Sequence, residues 1–125
     1  TYCHLDKVAN DPTCGIFGVF DGHGGQAVSE QCAKMFPIEL AHKVELYPND
    51  LSDSFKPVFE TVDKQVSKLK SSYVGSTACV AVVRKENNQN LLYIANAGDT
   101  RAVLSSNGQA QRLSKDHKAS DPQEV

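Results

Sequence analysis

Apolar and polar positions along this chain follow two different periods, and the changes of period mark its elements. Residues 1–5 form a strand fragment. Asn10-Asp11-Pro12-Thr13 is a turn, because Asn, Asp and Pro each favour one. Residues 14–20 are nearly all apolar, which predicts a strand buried on both faces. Residues 26–35 read as a helix with Val28, Cys32 and Met35 on one face. Pro37 is expected to end or restart that helix, since it lacks an N–H and clashes with the preceding turn. Tyr47-Pro48-Asn49-Asp50 is a loop. The clearest helical stripe follows in Leu51, Phe55, Val58, Phe59, Val62, Val66 and Leu69, with Asp53, Glu60, Lys64, Lys68 and Lys70 off it. Pro57 interrupts this stripe. A start capped by Ser54 puts Pro57 in the first turn, whereas a start at Ser52 requires a bend.

From Tyr73 onward the period becomes two. Residues 77–83 and 91–95 read as strands around a polar turn at 85–90. Residues 101–104 and 109–113 read as a third and fourth strand. Between them lies Ser105-Ser106-Asn107-Gly108, in which Asn-Gly is a strong hairpin signal. Consecutive hairpins make the sheet antiparallel. Residues 114–125 form a polar tail. No repeat, low-complexity tract or linker divides the chain.

The 125 residues suffice for one domain, and 40 % apolar with 22 % charged residues suits a globular protein. The formal net charge of −2 points to neither nucleic acid nor an anionic membrane. No apolar run is long enough to span a bilayer. With no initiator Met, signal peptide or Asn-x-Ser/Thr sequon, Thr1 is read as not being the natural start. Cys3, Cys14, Cys32 and Cys79 form no Cys-x-x-Cys pair. A zinc site from Cys3, His4 and Cys14 matches no common spacing, and two disulfides are the secreted alternative. Cys32 and Cys79 lie in apolar stretches, where thiols act as small hydrophobes, so reduced cysteines and an intracellular location are expected.

Chemistry concentrates where the first long strand ends, in Asp21-Gly22-His23-Gly24-Gly25. Asp21 can bind a metal through oxygen, and Gly22 can offer a carbonyl to a hard cation. His23 can transfer a proton near neutral pH. A polar turn between strand and helix is the plainer reading of the same residues. Asp99 can likewise simply cap a turn. His117 reads as surface or structural, and His4 and His42 have no partner pattern.

Four short sequences stand in order: Val19-Phe20-Asp21-Gly22-His23-Gly24-Gly25, Gly75-Ser76-Thr77-Ala78, Asn96-Ala97-Gly98-Asp99-Thr100-Arg101-Ala102-Val103, and Leu113-Ser114-Lys115-Asp116-His117-Lys118. Together, over nearly the whole chain, they resemble the metal-dependent protein phosphatases of type 2C. The resemblance implies an α/β (α+β) fold, an antiparallel β-sandwich flanked by α-helices, incomplete in this chain. Residues 1–125 are then a partial catalytic domain that lacks its first strand and C-terminal part. It implies removal of phosphate from phosphoserine and phosphothreonine proteins by a water bridging two Mg²⁺ or Mn²⁺ ions, with a third ion at a weaker site. Asp21 matches the aspartate that bridges the two ions, Gly22 the glycine whose carbonyl binds one of them, and His23 the general acid. Asp99 matches an aspartate of the third site. Gly75, Ser76 and Thr77 match a structural turn, and Arg101 a structural residue.

That family also uses an Arg and an acidic pair, which belong just before Thr1, and further aspartates downstream of this chain. It continues His-Lys-Pro where this chain has His117-Lys118-Ala119. The chain alone is therefore expected to be inactive, or nearly so. The alternative is a phosphatase-like binding or scaffold domain without catalysis; a small metal- or phosphate-binding module rests on little besides Asp21. Neither nucleic acid nor membrane is expected as a partner. A cut β-sandwich exposes strand edges, so an edge-paired or strand-exchanged homodimer is expected.

Overall fold

A computed structural model describes residues 1–69 and 74–118 of the chain, without the side chain of residue 69. The first strand, β1, is Tyr2–Leu5, and β2 is Gly15–Val19. A two-residue strand, β3, is Gly22–His23. Two helices follow, α1 at Ala27–Leu46 and α2 at Leu51–Val66. Then come β4 at Gly75–Ser76, β5 at Ala78–Glu86, β6 at Gln89–Ala97, β7 at Val103–Ser106 and β8 at Gln109–Arg112. The beginning of the β pattern at Tyr73, the stripe's end at the Leu69 side chain and Lys70, and the tail from residue 119 fall outside what is described.

β1, β2, β5 and β6 pair in that order into one antiparallel sheet. Strand pleating sends alternate residues to opposite faces. One face carries Ile16, Phe20, Ala78, Val80 and Val82, all buried with Val28, Cys32, Phe36, Leu40 and Val44 of α1 and Leu51, Phe55, Val58 and Val62 of α2. The opposite face leaves Phe17 43 % and Val19 58 % exposed, so β2 is not buried on both faces as its apolar run suggests. Among the described residues helices cover only one side of the sheet, and composition alone does not say which apolar residue meets them.

Pro37 does not end α1, which runs through it to Leu46. Phe36, Leu40 and Val44 continue the buried stripe at four-residue intervals on both sides of the proline. Their burial, about 1.5–3 kcal/mol each, outweighs the roughly 3 kcal/mol cost of an interior proline. α2 likewise starts at Leu51 and contains Pro57 in its interior. Ser54 is not its cap: the Ser54 hydroxyl donates back to the Asp50 carbonyl at 2.9 Å, one turn earlier.

The hairpin between β5 and β6 is tighter than the expected six-residue turn. Asn87 and Asn88 both adopt positive φ, 52° and 64°, and form a two-residue connection that leaves Lys85, Glu86, Gln89 and Asn90 inside the strands. The Asn107-Gly108 hairpin forms as expected, but β7 and β8 make a separate two-stranded sheet rather than the third and fourth strands of the main one. The separation follows a break at Gly98, whose φ is +95°.

Arg84 is buried on the helix side of β5. Its Nε donates to Glu86 Oε2 at 3.0 Å, its guanidinium also donates to the Pro48 carbonyl, and it lies 5.5 Å from the Tyr93 ring centre. The four cysteines are unpaired, and burial pushes each thiol up from its ordinary pKa.

Candidate functional site

Phe20 anchors the site from below. Its ring is fully buried and stacks on Phe36 at 5.3 Å, and Phe36 meets Phe59 edge-on at 4.9 Å. The chain then emerges from the core, and Asp21, Gly22 and His23 are all exposed. This short stretch does not hang free. The Thr77 N–H donates to the Asp21 carbonyl at 2.9 Å, and the Asp21 N–H donates to Thr77 Oγ1 at 3.2 Å. Next, Gly22 pairs with Ser76 and His23 with Gly75 as β3 and β4. The first two motifs singled out in the sequence are thus one structural unit. Gly24 and Gly25, at φ 73° and 139°, then turn the chain into α1.

The third motif reaches the same unit from the other side. Gly98 lies so close to Thr77 that a Cβ there would sit 2.9 Å from Thr77 Cγ2. Asp99 follows Gly98 and is exposed. The loops bearing Asp21 and Asp99 therefore meet across Thr77, a residue whose part in the site the sequence alone does not reveal. The fourth motif holds the Gly98 loop from behind. His117 Nδ1 accepts the Gly98 N–H at 3.3 Å, and the His117 N–H donates to the Gly98 carbonyl at 2.8 Å. Asn96 Nδ2 donates to the Lys115 carbonyl at 2.7 Å. Arg101 donates from Nη2 to Asp116 Oδ2 at 2.6 Å, and Arg112 donates to Asp116 Oδ1 at 2.7 Å. The Arg101 guanidinium, with Arg112 beside it, holds the Asp116 carboxyl down at about 2. Arg101 and His117 accordingly make structural contacts.

Among the described residues, the Asp21 and Asp99 carboxylates engage in no hydrogen bond or ion pair, so neither is committed to a structural partner. No three His, Cys, Asp or Glu side chains of the described residues come together in a way that could hold a metal ion. The zinc grouping of Cys3, His4 and Cys14 is excluded among them on the same ground. A cavity of about 680 Å³ opens beside His23, lined by Cys32, Phe36, Phe59, Val62 and Gly75 among others.

The profile of the protein phosphatase 2C family matches residues 2–125. Protein phosphatase 2C homolog 1 of Schizosaccharomyces pombe is 41 % identical over 114 residues, spanning 88 % of this chain and 33 % of that protein. Protein phosphatase 2C 1 of Paramecium tetraurelia is 37 % identical over 137 residues, 98 % of this chain and 44 % of its own length. Probable protein phosphatase 2C 20 of Oryza sativa is 35 % identical, with 87 % of this chain and 27 % of that protein aligned. The chain thus spans less than half the length of these relatives. In fold it is similar to the crystal structure of the Mycobacterium tuberculosis serine/threonine phosphatase PstP/Ppp, with a TM-score of 0.57 at 19 % identity over 93 % of this chain and 54 % of that one. With the four motifs converging on one Thr77-centred unit and the profile matched over almost every residue, the chain belongs to the protein phosphatase 2C family.

Proposed function

We propose that this chain is the N-terminal part of the catalytic domain of a Mg²⁺- or Mn²⁺-dependent protein serine/threonine phosphatase. Its substrates are phosphoserine and phosphothreonine proteins. Asp21 and the Gly22 carbonyl are metal ligands, His23 is the general acid, and Asp99 serves a third, weaker metal position. The observation that carries the reading is the uncommitted Asp21 carboxylate, two residues from an exposed imidazole, on a loop clamped at both backbone groups by Thr77. Carboxylate and carbonyl oxygens are the donors that hard divalent ions prefer, so the residues present fit such an ion. They supply only part of its coordination, because no group of three ligating side chains forms among the described residues. For that reason the 125-residue chain alone has little or no turnover.

When bound, the ions neutralise the phosphate dianion and activate water as the nucleophile. The chain's own residues do the rest. The β3–β4 pairing fixes where Asp21 and Gly22 present their oxygens. As the bond from phosphorus to the serine oxygen breaks, His23 delivers a proton from its imidazolium to that oxygen, for an expected gain of about 10²–10⁴-fold. The test is His23→Ala in the protein at its natural length. Turnover of a phosphoserine peptide should fall steeply, while p-nitrophenyl phosphate, whose phenolate leaves without a proton, should lose little. An equal loss on both substrates refutes the role of general acid.

A second reading, a phosphatase-like binding or scaffold domain without catalysis, applies to this stretch taken alone, whose described residues form no group of three ligating side chains. Mn²⁺-dependent phosphopeptide hydrolysis by the natural-length protein excludes it.

A further inference from the structure

We propose that Gly75 is a positioning residue for His23, setting where the imidazole lies by having no side chain of its own. The inference rests on His23 being the proton donor. His23 and Gly75 are cross-strand partners in the β3–β4 ladder, so a side chain at 75 would project on the same face as the imidazole. The ring folds over into that empty place. A Cβ built on Gly75 would lie 2.6 Å from both Cε1 and Nε2 of His23. Carbon atoms in ordinary contact stand about 3.5 Å apart, so any side chain at 75 displaces the ring edge by roughly 1 Å. Gly75 is not among the positive-φ glycines, so the backbone itself accepts alanine. The requirement for glycine comes from the imidazole alone.

The clash falls on the tip of a side chain, not on the backbone, so the ring gives way and the fold does not. Gly75→Ala should therefore leave the melting temperature close to wild type while moving the catalytic group. A misplacement of about 1 Å is enough to cost roughly 10²-fold in rate. That loss should appear in kcat and not in KM. It should also be selective for leaving groups that need a proton.

The experiment compares wild type, Gly75→Ala, His23→Ala and the double variant in the protein at its natural length. The substrates are a phosphoserine peptide and p-nitrophenyl phosphate, and nuclear Overhauser contacts from the His23 Hε1 proton to residue 75 are read in parallel. We expect Gly75→Ala to lower kcat on phosphoserine by about 10²-fold and on p-nitrophenyl phosphate by only a few-fold. The double variant should be no slower than His23→Ala, and the Hε1 contacts should change. Unchanged phosphoserine turnover, or an equal loss on both substrates with a large fall in melting temperature, overturns the proposal. If His23→Ala itself shows no leaving-group dependence, the general-acid assignment fails on its own. The positioning claim is then decided by the Hε1 contacts: a displaced ring in Gly75→Ala supports it, and an unmoved ring overturns it.

Discussion

Phe20→Ala should destabilise the fold more than its position beside an exposed loop suggests. The ring is fully buried and stacked on Phe36 at 5.3 Å with 25° between planes, and it fills the space over Gly18, where a Cβ would approach Phe20 Cζ to 2.7 Å. Removing such a ring costs about 3–5 kcal/mol, through lost burial and the cavity left behind. Of this, about 0.5–1.5 kcal/mol belongs to the stacked pair. Total stability of a domain this size is about 5–15 kcal/mol, so one substitution removes between about a fifth and all of it. Phe20→Leu keeps most of the volume; it should lose the stacking and less than about 1.5 kcal/mol for repacking. The chain has no Trp, so urea unfolding is best followed by far-ultraviolet circular dichroism. A Phe20→Ala midpoint shift worth under about 1 kcal/mol would refute the packing described, because no ring buried this deeply leaves so cheaply. Asp21 follows directly on this ring, so Mn²⁺ affinity should weaken along with stability.

Thr77→Val keeps the methyl that packs on Gly98 but removes the acceptor of the Asp21 N–H, 3.2 Å away. The expected loss is about 0.5–1.5 kcal/mol, read as a urea midpoint shift, together with faster amide exchange at Asp21. Asp116 titrates at about 2 in the folded chain against an ordinary 3.8, so its pairing with Arg101 and Arg112 stabilises the fold above pH of about 4 and is lost as pH falls toward 2. Melting temperature measured between those limits should fall in the wild type, and the slope should flatten in Asp116→Asn; equal slopes would contradict the assignment. Among the described residues the sheet ends in β1 and β6, and such edges invite pairing. The 125-residue chain should therefore form edge-paired or strand-exchanged dimers by light scattering, and a monodisperse monomer at high concentration would count against it.

The elements readable in the sequence are those with a strong period. The α2 stripe from Leu51 to Val66 and the Asn107-Gly108 hairpin are both present in the structure. What misled was local chemistry overruled by packing. Pro37 breaks helices in isolation, yet Phe36 and Leu40 hold both halves of α1 on one core. The apolar run of β2 gives no sign that Phe17 and Val19 face away from the helices, since a one-residue shift in register exchanges the two faces. At the site, Asp21, Gly22, His23 and Asp99 stand out by residue type and motif. Gly75 and Thr77 lie in the second motif but read there only as a structural turn, because their parts depend on contacts across more than fifty residues of chain: a hydroxyl toward Asp21 and an absent side chain beneath His23. A glycine that matters for what it leaves empty does not disclose that part until its strand partner is known.

The most direct measurement pairs metal binding with catalysis at Asp21. In the protein at its natural length, Mn²⁺ binding is followed by electron paramagnetic resonance, and phosphate release from a phosphothreonine peptide is assayed in the same samples. Asp21→Ala should lose Mn²⁺ affinity and turnover together, whereas His23→Ala should keep the affinity and lose only turnover of the peptide. Wild-type Mn²⁺ binding and undiminished turnover in Asp21→Ala would contradict the assignment of this loop as the metal-binding heart of a phosphatase.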